Sequence, residues 1–205
     1  LLHCGSLSYQ LLLGAVKNSL KVLMISSEYT PLAKSGGLAD AVASLASALK
    51  RNGVDVRVVI PRYGFLPKSR LEQLPDSLGI PIGLREEWVA VYHHRGEVPV
   101  YLLDHEELFA RRGIYNESGL DYADNARRFT LLSYGAFQLC RMLHWVPDVM
   151  HAHDWPTGLV PVFLNSREAK GEFASTASVF TIHNIGYQGI FASEQFVHTR
   201  LPWED

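Results

Sequence analysis

Val22-Leu23-Met24-Ile25 is an unbroken apolar run between Lys21 and the Ser26-Ser27 pair. A strand with one wet face alternates apolar and polar residues, whereas a continuous run suits a strand covered on both faces, as in a parallel sheet. Parallel strands cannot be joined by a tight hairpin and need a crossover, usually a helix. The sequence supplies one. After the turn-rich stretch Ser26 to Gly37, residues Leu38, Val42, Leu45, Ala46 and Leu49 recur at helical spacing. Lys50 and Arg51 fall where the helix dipole favours cations, and Asn52-Gly53 provides the stop. Asp55 to Ile60 reads as the next strand, so residues 21–60 predict a βαβ unit with a right-handed crossover.

The remainder continues the alternation. Pro and Gly recur from Pro61 to Arg85, which reads as a long irregular excursion with short helical pieces, the kind of loop that often carries function. Trp88 to His93 and Val98 to Leu103 are expected as strands around an Arg95-Gly96-Glu97 turn. A helix is expected from Asp124 to Leu143, with Phe129, Leu132, Ala136, Leu139 and Leu143 on one stripe, and Pro147 closes that unit. Asp148 to His153 is a strand, Trp155 to Asn165 a helix with Pro161 as a kink point, and Ser178 to His183 a further strand. The predicted fold class is α/β, doubly wound, with a mostly parallel sheet. The 205 residues suit one domain with a substantial core. Residues 1–20, Leu-rich with Lys17 as their one Lys, Arg, Asp or Glu, are set aside as a leader of unknown role.

Composition narrows the function. Nineteen Lys and Arg against 21 Asp and Glu give a net charge of −2, which leaves no basic footprint for nucleic acid or an anionic membrane surface. The longest apolar runs fall well short of the roughly 20 residues of a membrane helix. Two cysteines, Cys4 and Cys140, are too few for a disulfide framework and point to a reducing, intracellular compartment.

Three polar, Gly-bearing corners are expected at strand ends. In Lys34-Ser35-Gly36-Gly37-Leu38-Ala39-Asp40, two glycines let backbone approach a ligand and the helix start presents unpaired N–H groups. Lys34 adds a full positive charge, so the corner suits a phosphate, and Asp40 is placed to accept hydrogen bonds from sugar hydroxyls. Neither common nucleotide fingerprint is present, and a glycine-rich helix start with an exposed lysine explains the same residues. In His151-Ala152-His153-Asp154-Trp155, period-2 alternation puts both histidines on one face. His151 is expected buried and His153 exposed in a cleft, exchanging hydrogen bonds with a substrate hydroxyl while Asp154 orients it. With His183 these histidines are zinc-type ligands, but no further His or Cys pair lies at ligand spacing. The third corner, Thr181 to Gly189, offers His183, Asn184, Tyr187 and Gln188, the mixture of polar edges and ring faces a sugar asks for. A fourth segment, Asp121 to Phe129, reads as helix capping by Asp124 or Asn125 beside surface arginines, with at most a supporting role.

Taken together, Ser27-Glu28-Tyr29-Thr30-Pro31 with Lys34 to Asp40, Asp124-Asn125 with Arg128-Phe129, His151 to Trp155 and Phe180 to Gly189 resemble, in order and spacing, the bacterial glycogen synthases and plant starch synthases that use ADP-glucose. The resemblance runs from Lys21 to the end. It implies a retaining glucosyltransferase of two Rossmann-like domains that moves glucose from ADP-glucose to the non-reducing end of an α-1,4-glucan, with no metal or other cofactor. It also implies a cytoplasmic location, or a plastid one in a plant. Carried over residue by residue, it places Lys34 near the diphosphate and Gly36 and Gly37 against the donor. Asp40 and His153 would meet the transferred glucose as the catalytic pair, and Asn184 would be a further sugar contact. Ser35 stands where the family usually has Thr, and a hydroxyl remains. On this resemblance residues 21–205 are the N-terminal, acceptor-side domain, and its partners are ADP-glucose, the glucan and a C-terminal donor domain. A UDP-glucose enzyme, a non-catalytic glucan-binding domain and a zinc hydrolase are the competing readings.

Overall fold

The computed structural model describes residues 19–203, so all of the expected leader except Ser19 and Leu20, and Cys4 with it, lies outside the described residues. The elements are β1 (Lys21–Ile25), α1 (Gly37–Arg51), β2 (Asp55–Pro61), β3 (Glu72–Ile82), β4 (Arg85–His94), β5 (Val100–Asp104), α2 (Glu106–Phe109), β6 (Asn116–Glu117), β7 (Leu120–Asp121), α3 (Asn125–Met142), β8 (Val149–His153), α4 (Leu159–Asn165) and β9 (Ala177–Thr181). Seven strands form one sheet in the order β3-β4-β5-β2-β1-β8-β9, and β6 and β7 make a separate small hairpin.

The expected α/β class with a mostly parallel sheet is what forms. Strands β5, β2, β1, β8 and β9 are parallel neighbours, while β4 and β3 extend the sheet antiparallel. The apolar run of β1 lies between β2 and β8, and Leu23, Met24 and Ile25 are buried, as two-sided coverage requires. The chain leaves β1 toward β2 and later returns on the other side through β8 and β9. Right-handed crossovers therefore put α1 on one face and α3 and α4 on the other. Helix α3 buries nearly every apolar side chain it carries, from Phe129 through Cys140, and burial pushes the Cys140 thiol up to about 12.

Three expectations about elements are corrected. The stretch 61–85 is not an irregular excursion: after a short 3-10 turn at Lys68–Arg70 it forms the eleven-residue β3, paired with β4 and irregular in register between Gln73 and Ser77. Pro75, Gly79 and Pro81 hide the strand pattern, and prolines are tolerated because β3 is an edge strand with one unpaired side. Leu45 does not face the sheet from α1; Ala39, Val42 and Ala46 do. Pro161 kinks nothing, because it lies in the first turn of α4, where its missing N–H has no intrahelical role.

Candidate active site

The three corners follow β1, β8 and β9, which are adjacent in the sheet, so they converge at its carboxyl edge. This edge is also where strand order reverses direction, the usual ligand position in open α/β sheets. A cleft of about 610 Å³ opens there. Glu28, Ser35, Gly36 and Gly37 line one wall, Asp154, Trp155, His183 and Asn184 the other, and Tyr115, Asn116 and Asp121 of the β6–β7 region close a third side. Gly36, Gly37 and Asn184, remote in sequence, thus share one cavity. Lys34, Asp40 and His153 lie outside its lining.

At the first corner the backbone enters α1 through Gly36 with no side-chain cap, which leaves the first N–H groups of the helix without a side-chain partner. A Cβ placed on Gly36 or Gly37 would meet nothing within 4 Å, so the space beside both glycines is open. Lys34 Nζ donates to Asp40 Oδ2 at 2.7 Å and Thr30 Oγ1 donates to Asp40 Oδ1 at 2.7 Å. These bonds, from Lys34 and then Thr30, hold the Asp40 carboxyl below the usual carboxylate range. Both members of the ion pair are half exposed, so water and salt screen it and an anionic ligand can compete for Lys34.

The histidine corner reverses the expected depth. His151 and His153 do share a face, with ring centroids 4.0 Å apart. His153, however, is 1% exposed, and His151 is the half-buried one, bonded through Nε2 to Thr181 Oγ1 at 2.7 Å. The reason is β9: it pairs beside β8 with Thr181 opposite His153, and the chain then folds His183 across the strand end. His153 Nδ1 lies 3.0 Å from His183 Nε2, while His153 Nε2 is buried with no partner. Burial, then His151 and His183, pushes His153 down to about 3, so its ring is neutral near neutral pH. Asp154 does not orient His153 either. It adopts φ 58°, ψ 177°, and its Oδ1 accepts from the backbone N–H of His183 at 2.6 Å and of Asn184 at 3.4 Å. Its carboxylate fixes the third corner instead. Gly189 is needed for space as well as for its φ of +63°, because a Cβ there would meet Trp155 ring carbons at 2.5 and 2.8 Å.

Two further residues belong to the site through contacts that no local pattern in the sequence shows. Glu28, within the quoted Ser27 to Pro31 segment, is 2% exposed and accepts from Ser35 N, Ser35 Oγ, Gly36 N and Tyr115 Oη. Arg128 is not a surface arginine but fully buried. It donates to Leu108 O at 2.6 Å, Ile114 O at 2.9 Å and Asn125 Oδ1 at 2.6 Å, bracing the loop that leads to Tyr115. Asp124 occupies the cap position of α3 without capping it, because Arg111 holds its carboxylate at 2.7 and 2.5 Å. Asn125 is likewise turned to Tyr115 O and Arg128 rather than to the helix end.

Among the described residues no three His, Cys, Asp or Glu side chains are placed to hold a metal ion together, and no helix is long and apolar enough to cross a membrane. A second cavity of about 650 Å³ lies behind Trp155 and Tyr187, lined by such residues as Phe180, Ile182, Phe191 and Trp203. It shares Asp154 with the cleft and has Gln188 and Gln195, but it lacks Glu28, Asp121, His183 and Asn184 and the glycine corner.

Comparison with known proteins gives a consistent result. Residues 21–205 match the family model of the starch synthase catalytic domain. The glycogen synthase of Treponema denticola is 48% identical over 190 residues, and glycogen synthase 1 of Geobacter sulfurreducens 42% over 192 residues. These alignments cover 91% and 90% of this chain but 39% and 38% of the relatives, so the chain spans about two fifths of their length. The catalytic domain of starch synthase IV from Arabidopsis thaliana, solved bound to ADP and acarbose, superposes with a TM-score of 0.81 at 29% identity, covering 90% of this chain and 38% of that one.

Proposed function

Because this chain belongs to the starch synthase catalytic-domain family, we propose that residues 21–205 form the N-terminal, acceptor-side domain of a retaining glucosyltransferase. The enzyme transfers glucose from ADP-glucose to the non-reducing end of an α-1,4-glucan and releases ADP, without a metal or other cofactor. A C-terminal donor domain completes the cleft, in keeping with relatives more than twice as long as this chain. A cytoplasmic location belongs to the same proposal and rests on the cysteine usage.

The observation that carries this reading is the single cleft joining the glycine corner to the His183-Asn184 loop. Departure of ADP places growing negative charge on the diphosphate, and charge held ready at that position is often the largest contribution to catalysis. Lys34, exchanging Asp40 for the diphosphate, supplies it, with the open backbone at Gly36 and Gly37 alongside. Asp40, once released, and His153 are assigned to the glucose hydroxyls; His153 Nε2 is unpartnered but buried, so its part of the assignment requires the wall beside it to open on binding. Asn184 is assigned to the sugar from the opposite wall. The ADP bound by the Arabidopsis domain supports a nucleotide-linked donor.

The test is glucose incorporation from labelled ADP-glucose into a glycogen primer by the product of the complete reading frame, with UDP-glucose in parallel. Incorporation from ADP-glucose alone is expected. Incorporation from UDP-glucose alone refutes the donor, and glucan binding without incorporation from either refutes the enzyme.

A further inference from the structure

A buried carboxylate normally needs a cation or a full set of hydrogen bonds to offset lost hydration. Glu28 has no ion-pair partner among the described residues and has the second. Oε2 accepts from the backbone N–H of Ser35 at 2.6 Å and of Gly36 at 3.2 Å, while Oε1 accepts from Ser35 Oγ at 2.6 Å and Tyr115 Oη at 2.7 Å. Tyr115 Oη also lies 2.7 Å from Ser27 Oγ, and Tyr63 Oη donates to Ser27 O at 2.9 Å. The Tyr115 ring sits 5.9 Å from that of Trp155, on the opposite wall. One side chain therefore ties the glycine corner to the residue next to Asn116 and, through that ring, to the second corner.

We propose that Glu28 is a positioning residue for donor binding: its carboxylate fixes the spacing between the Ser35-Gly36 backbone and Tyr115, and with it the width of the cleft. This inference rests on the glucosyltransferase reading above and adds a role to a residue that reading leaves unused. Glu28 is not a nucleophile, because both oxygens are already filled by two donors each. By consuming the Ser35 and Gly36 N–H groups it leaves those of Gly37, Leu38 and Ala39 as the ones free to face an anion.

The segregation of its donors makes the idea testable. In Glu28→Gln the amide oxygen replaces Oε2 and still accepts both backbone N–H groups. The new NH₂ faces two hydroxyls, each able to turn and accept. Glu28→Ala strands all four donors. In the product of the complete reading frame, Glu28→Ala is expected to raise the KM for ADP-glucose roughly 10–100-fold, the scale of small misplacements at a reacting site, and to leave the KM for glycogen unchanged. Glu28→Gln recovers most of that loss, and Tyr115→Phe, which removes one of the four contacts, falls between. Glu28→Gln failing as badly as Glu28→Ala overturns the role, since charge rather than position would then matter. Donor and glycogen KM rising together overturns it as well. If Glu28→Ala does not fold, the Glu28→Gln and Tyr115→Phe pair decides alone: a donor KM unmoved by Tyr115→Phe overturns the role. The unsubstituted enzyme is assayed first, and its failure to use ADP-glucose would refute the underlying reading rather than the placement of Glu28.

Discussion

Asp154 allows stability and function to be separated by choice of substitution. Its φ of 58° with ψ of 177° lies in a region almost reserved for glycine, which costs about 1–3 kcal/mol for other residues. Its carboxylate repays this by holding the His183 and Asn184 amides, and a hydrogen bond to a charged acceptor contributes about 1.5–3 kcal/mol. Asp154→Ala loses the bonds and keeps the strain. Asp154→Gly loses the same bonds and releases the strain, less about 0.5–1 kcal/mol for the extra freedom glycine has when unfolded. The glycine variant should therefore be the more stable by about 1 kcal/mol, the middle of that difference. Urea unfolding of the chain, extrapolated linearly, reads this directly. Hydrogen exchange at the His183 and Asn184 amides should accelerate in both variants alike, because both lack the anchor. Transfer by the complete enzyme should then fall in both variants alike, although Asp154→Gly is the more stable of the two. Equal stability of the two variants would refute the strain argument, and unchanged exchange at residue 183 would refute the anchor.

Lys34→Ala should raise the KM for ADP-glucose far more than that for glycogen, and equal losses would contradict the proposed place of Lys34 at the diphosphate. The depressed pKa of His153 gives a signed pH dependence. Unfolded, the ring titrates near 6.5, and folded near 3, so the unfolded state binds more protons between these values. Stability is retained above pH 6.5 and lost as pH falls toward 3, at about 1.4 kcal/mol per pH unit for one proton. Urea unfolding at a series of pH values should show at least this slope, since burial also holds His93, His151 and His198 down, and His153→Gln should reduce it by one proton. Arg128→Met leaves the Leu108 and Ile114 carbonyls buried without their donor, a loss of about 2–5 kcal/mol measurable by urea unfolding. Gly189→Ala should displace the Trp155 ring, visible as a changed tryptophan fluorescence spectrum relative to the unsubstituted chain.

The elements that were legible in the sequence are those whose burial is decided locally. Val22 to Ile25 and Val58 to Ile60 sit in the middle of the sheet, and a strand covered on both faces has to be apolar throughout. Strand β3 escaped because it lies at the edge, where Pro75, Gly79 and Pro81 are compatible with pairing on one side only. The site shows the same division. Alternation correctly put His151 and His153 on one face, since that depends only on strand geometry. Which of them is deeper depends on Thr181 and His183, thirty residues on, and no local pattern carries that information. Glu28 and Arg128 were illegible for a related reason: a charged residue is mostly exposed, and what makes burial possible here, four donors around Glu28 and the Leu108 and Ile114 carbonyls with Asn125 around Arg128, is set by loop geometry that no local pattern shows.

Size alone does not identify the functional cavity, because the carboxyl edge holds two of nearly equal volume, about 610 and 650 Å³, on either side of Trp155 and Tyr187. The chemistry of the linings separates them. A sugar nucleotide carries a diphosphate and a ring of hydroxyls, and leaving either unpaired in a desolvated site costs more than apolar contact returns. The cleft has the open space beside Gly36 and Gly37 with the Gly37 N–H free, the amide of Asn184, the imidazole of His183 and, next to the glycines in the chain, Lys34 and Asp40. The other cavity offers such a ligand mostly aromatic and aliphatic surface, with Asp154, which it shares with the cleft, and Gln188 and Gln195 among its polar groups. Trp155 and Tyr187 belong to both linings, so the same two rings that separate the cavities also give the polar cleft the flat apolar surface a sugar face requires.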